Sequence, residues 1–123
     1  MNLFLIISIL VNSALSLSGG AVFDLDHKKH DFPDAKEGEV VRHVFPFTNT
    51  GDEPLIITGY EVSCNCTTLL FPKDPVMPGQ SGELTLIFET GGKEGYQNRK
   101  VLVKTNTGKD TKLSFRIFVQ PKD

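Results

Sequence analysis

The feature that most restricts the fold of this chain is a repeated alternation of apolar and polar residues in short segments. In the last segment every second residue is apolar: Leu113, Phe115, Ile117 and Val119. This period of two is typical of a β-strand with one buried face. Outside the N-terminal apolar run, no segment has the 3.6-residue stripe of an amphipathic helix. The alternation therefore predicts an all-β protein.

The same alternation recurs about every ten residues, and turn residues separate the segments. We predict strands at Val22–Leu25, after Gly38, at Leu55–Ile57 with a kink at Gly59, at Leu84–Phe88, and around Val101 and Val103. Pro46 has no backbone N–H, which predicts an edge position or a bulge in the second of these strands. Together with the last segment, the pattern predicts an Ig-like antiparallel β-sandwich of about seven strands over residues 20–121.

The N-terminus has the architecture of a secretory signal peptide. An apolar run at Leu3–Val11 is followed by small residues, and Ala14-Leu15-Ser16 fits a cleavage site after Ser16. The run is about half the roughly 20 residues that a transmembrane helix needs. Residues 1–16 are therefore predicted to be a signal peptide. The protein is expected to be exported, either periplasmic or extracellular, with no membrane span after cleavage.

Charge and motifs argue against several classes of function. The formal net charge is −2, which argues against nucleic acid as a partner. No serine lies in a nucleophile-elbow context, and Gly91-Gly92-Lys93 lacks the strand–loop–helix frame of a phosphate loop. We therefore expect a binding or structural module that is not an enzyme and has no cofactor.

An ordered series of motifs resembles a known family. The series comprises Phe45-x-Phe47-Thr48-Asn49-Thr50-Gly51, then Ser63-Cys64-Asn65-Cys66-Thr67, Pro78-Gly79-x-Ser81-Gly82, Phe88-x-Thr90, and Val103-x-Thr105-Asn106. It resembles domain of unknown function 1573, which is found in exported bacterial proteins and is related to hydin-type and major-sperm-protein-like sandwiches. The resemblance spans roughly Gly38 to Val119. It implies the fold and export, and it implies no activity.

Cys64 and Cys66 are the only cysteines and are one residue apart. The family usually has Gly between them. Because Asn tolerates positive φ, Asn65 predicts a tight left-handed bend. Three interpretations stay open for the pair: a structural corner held by two thiols or by a local disulfide with a very small ring, a soft-metal site suited to copper, and a redox couple. The alternative to a protein without a cofactor is therefore a copper site at Cys64 and Cys66.

The remaining candidate ligands are predicted to be structural. His27 and His30 are expected in a solvated polar loop, His43 at the core edge with a backbone hydrogen bond, and Met77 in loop packing. A protein partner is expected, because such sandwiches bind through edge strands or end loops. The edge near Pro46 and the cysteine corner are the predicted surfaces. The sequence leaves the partner and the oligomeric state open.

Overall fold

The structure, a computed structural model, describes residues 19–122. In this part of the chain the strands are β1 (Phe23–Leu25), β2 (Lys29–Asp31), β3 (Ala35–Lys36), β4 (Val40–Asn49), β5 (Ile57–Val62), β6 (Thr67–Leu70), β7 (Ser81–Glu89), β8 (Gly95–Thr105) and β9 (Thr111–Gln120). The predicted signal peptide, residues 1–16, lies outside the described residues. Residues 19–122 contain no helix that is long and apolar enough to cross a membrane.

The strands form two sheets packed face to face. Sheet A has the order β1-β4-β7-β6, and sheet B has the order β2-β9-β8-β5, with β3 also paired to β9. The long neighbours β4 and β7, and β8 and β9, pair antiparallel. The Ig-like β-sandwich expected from the sequence is confirmed.

The core lies between the sheets and consists of the alternating residues. Large apolar side chains from β4, β7 and β9 are almost wholly buried: Phe45, Phe47, Leu84, Leu86, Phe88, Leu113, Phe115, Ile117 and Val119. The long strands β4, β7 and β9 send every second side chain inward, so the period of two in the sequence corresponds to one face of each sheet. Burial of such side chains contributes roughly 1.5–3 kcal/mol each.

The end of β4 carries a buried polar residue, Asn49, whose side chain is fully enclosed. Its Nδ2 donates to the carbonyl oxygens of Glu53 at 2.7 Å and Val76 at 2.9 Å. Its Oδ1 accepts from the backbone N–H groups of Val22 at 3.2 Å and Gly51 at 3.0 Å. One side chain thereby connects the segment before β1, the β4–β5 turn and the β6–β7 loop.

Two local predictions, for Gly59 and for Pro46, are confirmed. A register shift between Ile57 and Gly59 confirms the predicted kink. The edge position predicted from Pro46 is confirmed, because β1 pairs only with Phe47–Asn49 and the rest of β4, up to Pro46, has no strand partner on that side within residues 19–122, whereas its pairing with β7 has no bulge. The Pro46 carbonyl accepts from Asp26 N–H at 3.0 Å, just beyond the end of β1. The missing N–H of Pro46 faces the same side, so it interrupts no ladder of hydrogen bonds between strands.

The segment after β1 crosses from one sheet to the other. β1 pairs with β4 of sheet A, whereas β2 and β3 pair parallel with β9 of sheet B. Residues 26–28 therefore span the two sheets along one side of the sandwich. This crossing leads into two short strands beside β9, where the sequence predicted a polar loop around His27 and His30, and it positions the histidines described below.

Candidate functional site

The cysteines lie in the turn that joins β5 of sheet B to β6 of sheet A. Their sulfur atoms are in bonding contact as a disulfide, and their Cα atoms are 5.3 Å apart. Thr67 N–H donates to the Cys64 carbonyl at 3.3 Å, which closes the turn. Cys66 is buried, and its carbonyl accepts from Glu89 N–H at 2.9 Å. The pair thus fixes a crossing between the sheets.

The conformation of Asn65 differs from the expectation. No non-glycine residue among those described has a positive φ, so the left-handed bend predicted at Asn65 is wrong. The chain turns here with ordinary backbone angles and the hydrogen bond from Thr67 to Cys64. A β-turn accommodates Asn without φ above zero. Copper and zinc bind to cysteine thiolates, and in the disulfide neither sulfur is a thiolate.

The outer face of sheet B carries a concavity of about 580 Å³. The side chains that face it from β2, β8 and β9 share a polar or cationic character: Lys29, Asp31, Asn98, Lys100, Lys112, Ser114 and Arg116. Ser63, which precedes the cysteine turn, forms part of the rim. We call this surface the basic concavity.

The cations of the basic concavity surround Ser114. In the register of sheet B, Lys29 and Lys100 are its neighbours on β2 and β8. Lys112 and Arg116 lie two residues away along β9, on the same face. Arg116 lies 3.7 Å from the Asp31 carboxylate, while the three lysines form no ion pair within residues 19–122.

A second cluster lies on the other side of the sandwich from the cysteines, where residues 26–28 cross between the sheets. It contains all three histidines of the chain. The Nε2 atoms of His27 and His43 are 2.8 Å apart, and the His30 ring stacks on the His43 ring at 3.5 Å between centroids. Asp26 Oδ2 lies 3.0 Å from His27 Nδ1. We call these residues the histidine cluster.

The surroundings of His30 and His43 favour the neutral form of these two rings. Partial burial lowers the pKa of His30, and the nearby His27 lowers it further. Partial burial also lowers the pKa of His43, and charge on His30 and then on His27 adds to the effect. The expectations for these residues are met in part: His27 lies in a loop and His43 is half-buried at the core edge, whereas His30 lies in β2 rather than a loop and His43 contacts His27 rather than a backbone group. The sequence gives no signal for this because the contacts depend on the crossing.

The cysteines and the other candidate ligands are not brought together. The cysteine turn lies next to β6, whereas the histidine cluster lies next to β1 and β2, at the opposite edges of the two sheets. Met77 is exposed in the β6–β7 loop. No set of three or more His, Cys, Asp or Glu side chains within residues 19–122 is arranged to hold a metal.

The fold and the sequence motifs define the class of the protein. Two packed, mostly antiparallel sheets make it an Ig-like β-sandwich. The family model described as "Protein of unknown function (DUF1573)" matches residues 23–119, and the chain belongs to that family. This confirms the resemblance inferred from the motifs. No curated protein matches the chain.

Solved structures share the sandwich at low sequence identity. A protein of unknown function from Porphyromonas gingivalis W83 has a TM-score of 0.68 and 15% identity, and the match covers 80% of this chain and 46% of that one. The E. coli chaperone DraB has a TM-score of 0.53 and 20% identity, covering 82% and 56%. The ASH / PapD-like domain of human CEP192 has a TM-score of 0.54 and 12% identity, covering 82% and 85%. The chain spans less than half of the Porphyromonas protein. At these identities the matches establish the fold alone.

Proposed function

We propose that this protein is an exported, non-catalytic binding module, and that its basic concavity binds an acidic segment of a partner protein. The observation that carries the proposal is the group of three lysines around Ser114, namely Lys29, Lys100 and Lys112, which form no ion pair within residues 19–122. Like charges on neighbouring strands destabilise a sheet. A bound anion would remove that repulsion.

The chemistry of the basic concavity suits carboxylates. Lysine ammonium groups are compact charges with several donors, and Ser63, Asn98 and Ser114 add neutral hydroxyl and amide donors. The surface is open rather than enclosed by side chains, which suits an extended polypeptide. A cluster of one sign of charge also accelerates the encounter with an oppositely charged partner.

The cysteine turn has a positioning role in this proposal. Ser63 lies at the rim of the basic concavity and is adjacent to Cys64. A disulfide between Cys64 and Cys66 restricts the backbone of the turn that carries this rim. The pair is therefore a structural element of the binding surface.

Binding of a fluorescently labelled ten-residue polyglutamate peptide, measured by anisotropy, tests the proposal. We expect binding that weakens as salt rises from about 50 to 300 mM, because exposed charges are screened. The variant Lys100→Glu/Lys112→Glu should bind at least about tenfold more weakly, since each reversal replaces an attraction of up to about 1 kcal/mol by a repulsion.

Two controls separate the basic concavity from the overall charge. Lys73→Glu/Lys93→Glu changes the net charge equally, at two lysines that do not line the concavity. It should retain most of the binding, and a polyglutamine peptide should not bind. Equal loss in both double variants would contradict the proposed surface. Binding of a sulfated glycan without binding of polyglutamate would contradict the protein partner.

A further inference from the structure

We propose that the histidine cluster is a pH-sensitive clamp. It holds β2 on β9 while its rings are neutral, and it releases β2 when both His27 and His43 are protonated. The clamp stands apart from the binding proposed for the basic concavity. Three observations support it: the hydrogen bond between the two rings, the charged groups around the cluster, and the few contacts that hold β2.

The first observation is that His27 and His43 share a hydrogen bond that tolerates only one extra proton. An ionised carboxylate only accepts, so Asp26 Oδ2 at 3.0 Å places the proton of neutral His27 on Nδ1. Nε2 of His27 then accepts from Nε2–H of His43 at 2.8 Å. One added proton, on Nδ1 of His43, leaves this bond intact. A second one places a hydrogen on both facing Nε2 atoms, so the bond is lost and two positive rings face each other.

The second observation is that the surroundings offer little negative charge to offset protonated rings. The His30 ring stacks on the His43 ring at 3.5 Å between centroids, so charge on one disfavours charge on the other. Behind the rings, β7 places Leu86 opposite His43 and β9 places Phe115 opposite His30, and both are apolar. The charged residues that flank the rings are two carboxylates and four cations, namely Asp26, Asp31, Lys28, Lys29, Arg42 and Arg116. Of the two carboxylates, Asp31 also lies 3.7 Å from Arg116.

The protonation equilibrium has the direction that the clamp requires. Partial burial lowers the pKa of His43, and charge on His30 and then on His27 lowers it further. Release of β2 removes these neighbours and restores an ordinary pKa of about 6.5. Docking of β2 is therefore complete above about pH 6.5 and is lost as the pH falls through the lowered pKa.

The third observation is that β2 has few contacts of its own. It is a three-residue edge strand, with β9 on one side and no strand on the other within residues 19–122. Ser114 N–H donates to the Lys28 carbonyl at 2.9 Å at one end, and Phe32 N–H donates to the Arg116 carbonyl at 2.8 Å at the other. Short segments with few buried contacts open at a small cost in free energy. The middle residue of β2 is His30, which is stacked in the cluster, so repulsion there acts directly on this strand.

Release of β2 would change the basic concavity, because Lys29 and Asp31 of β2 form part of its lining. Ser114 would lose Lys29 as a neighbour and keep Lys100 on β8. The clamp thus links the pH of the surroundings to the shape and charge of this surface, whether or not the surface binds a partner.

Amide hydrogen exchange of the purified protein, measured by NMR at about pH 7.5 and about pH 4.5 and corrected for the intrinsic exchange rate, tests the clamp. Protection of the Phe32 and Ser114 amides should fall by at least about tenfold at the lower pH, because one hydrogen bond is lost and repulsion is added. The Glu37 amide is the internal control. It donates to the Gln120 carbonyl at 2.9 Å beside β3, which also pairs parallel with β9 but contains no histidine. Its protection should change by less than about twofold.

His43→Gln and His27→Gln are the test variants, because a glutamine amide can still form a hydrogen bond but takes no charge. Most of the pH dependence at Phe32 and Ser114 should disappear in each variant. Circular dichroism establishes that each is folded, and the His27 side chain is 34% exposed, so its replacement spares the core. Unchanged protection of Phe32 and Ser114 at the lower pH would overturn the proposal. An equal loss at Glu37, or a pH dependence that persists in both variants, would overturn it as well.

Discussion

Replacement of Asn49 should be among the most destabilising single polar substitutions in this chain. The side chain is fully buried and uses both its donors and both its acceptor positions. Each such hydrogen bond contributes a net of about 1 kcal/mol, so Asn49→Ala should lower the free energy of unfolding by about 3–4 kcal/mol. A small domain has about 5–15 kcal/mol in total.

Asn106 provides a matched control, because it makes two similar backbone contacts at the surface. Its Oδ1 accepts from Ile56 N–H at 2.9 Å and its Nδ2 donates to Pro54 at 3.0 Å, both exposed to water. Water replaces such bonds, so Asn106→Ala should cost less than about 1 kcal/mol. Asn49→Asp should be at least as harmful as Asn49→Ala, since it turns a carboxylate oxygen towards two carbonyl oxygens.

Urea unfolding followed by far-ultraviolet circular dichroism measures these differences. A lower midpoint at an unchanged m-value reports a loss of stability alone. The expected order of stability is wild type, Asn106→Ala, Asn49→Ala, with a gap of at least about 2 kcal/mol between the two variants. Equal midpoints for Asn49→Ala and Asn106→Ala would refute the assignment of Asn49 as the buried connector.

Three further predictions concern the turns, the histidines and the cysteines. A Cβ at Gly51 would overlap the carbonyl oxygen of Gly20, so Gly51→Ala should lower the free energy of unfolding by about 1–3 kcal/mol, measured by thermal or urea unfolding. The control Gly59→Ala places its Cβ in open space and should lower it far less. The lowered pKa of His43 means that the folded state favours the neutral ring. The contribution of His43 to stability should therefore be full above about pH 6.5 and be lost as the pH falls through the lowered pKa. His43→Phe should flatten this pH profile, measured by urea unfolding from about pH 7.5 to about pH 5. Cys64→Ser should lower the free energy of unfolding by only about 1.5 kcal/mol, because the ring that it opens is small. In the wild-type protein, thiol alkylation followed by mass spectrometry should find two reactive thiols only after reduction.

Local patterns predicted the strands, because strand formation here depends on alternation that is visible within ten residues. The apolar faces of β7 and β9 and the kink at Gly59 follow from the sequence in this way. Asn49 stands in one of the sequence motifs, but no local pattern predicts its burial. Its burial depends on Val22 and Val76, which are each 27 residues away along the chain.

The candidate sites could not be predicted, because they depend on contacts between distant segments. Lys29 becomes a neighbour of Ser114 only through the parallel pairing of β2 with β9. The same crossing brings His27 and His30 to His43. Such pairings have no local pattern in the sequence. The cysteine pair is the exception, because Cys64 and Cys66 are separated by a single residue and the pair is visible in the sequence.

The central claim is that the basic concavity is the binding surface, and an NMR titration tests it most directly. Amide shifts of the ¹⁵N-labelled protein would be recorded as polyglutamate is added. The account predicts that the largest changes fall on Lys29, Lys100 and Ser114, with smaller changes at Ser63 on the rim. An absence of changes, or changes confined to the β6 edge or the β6–β7 loop, would contradict it.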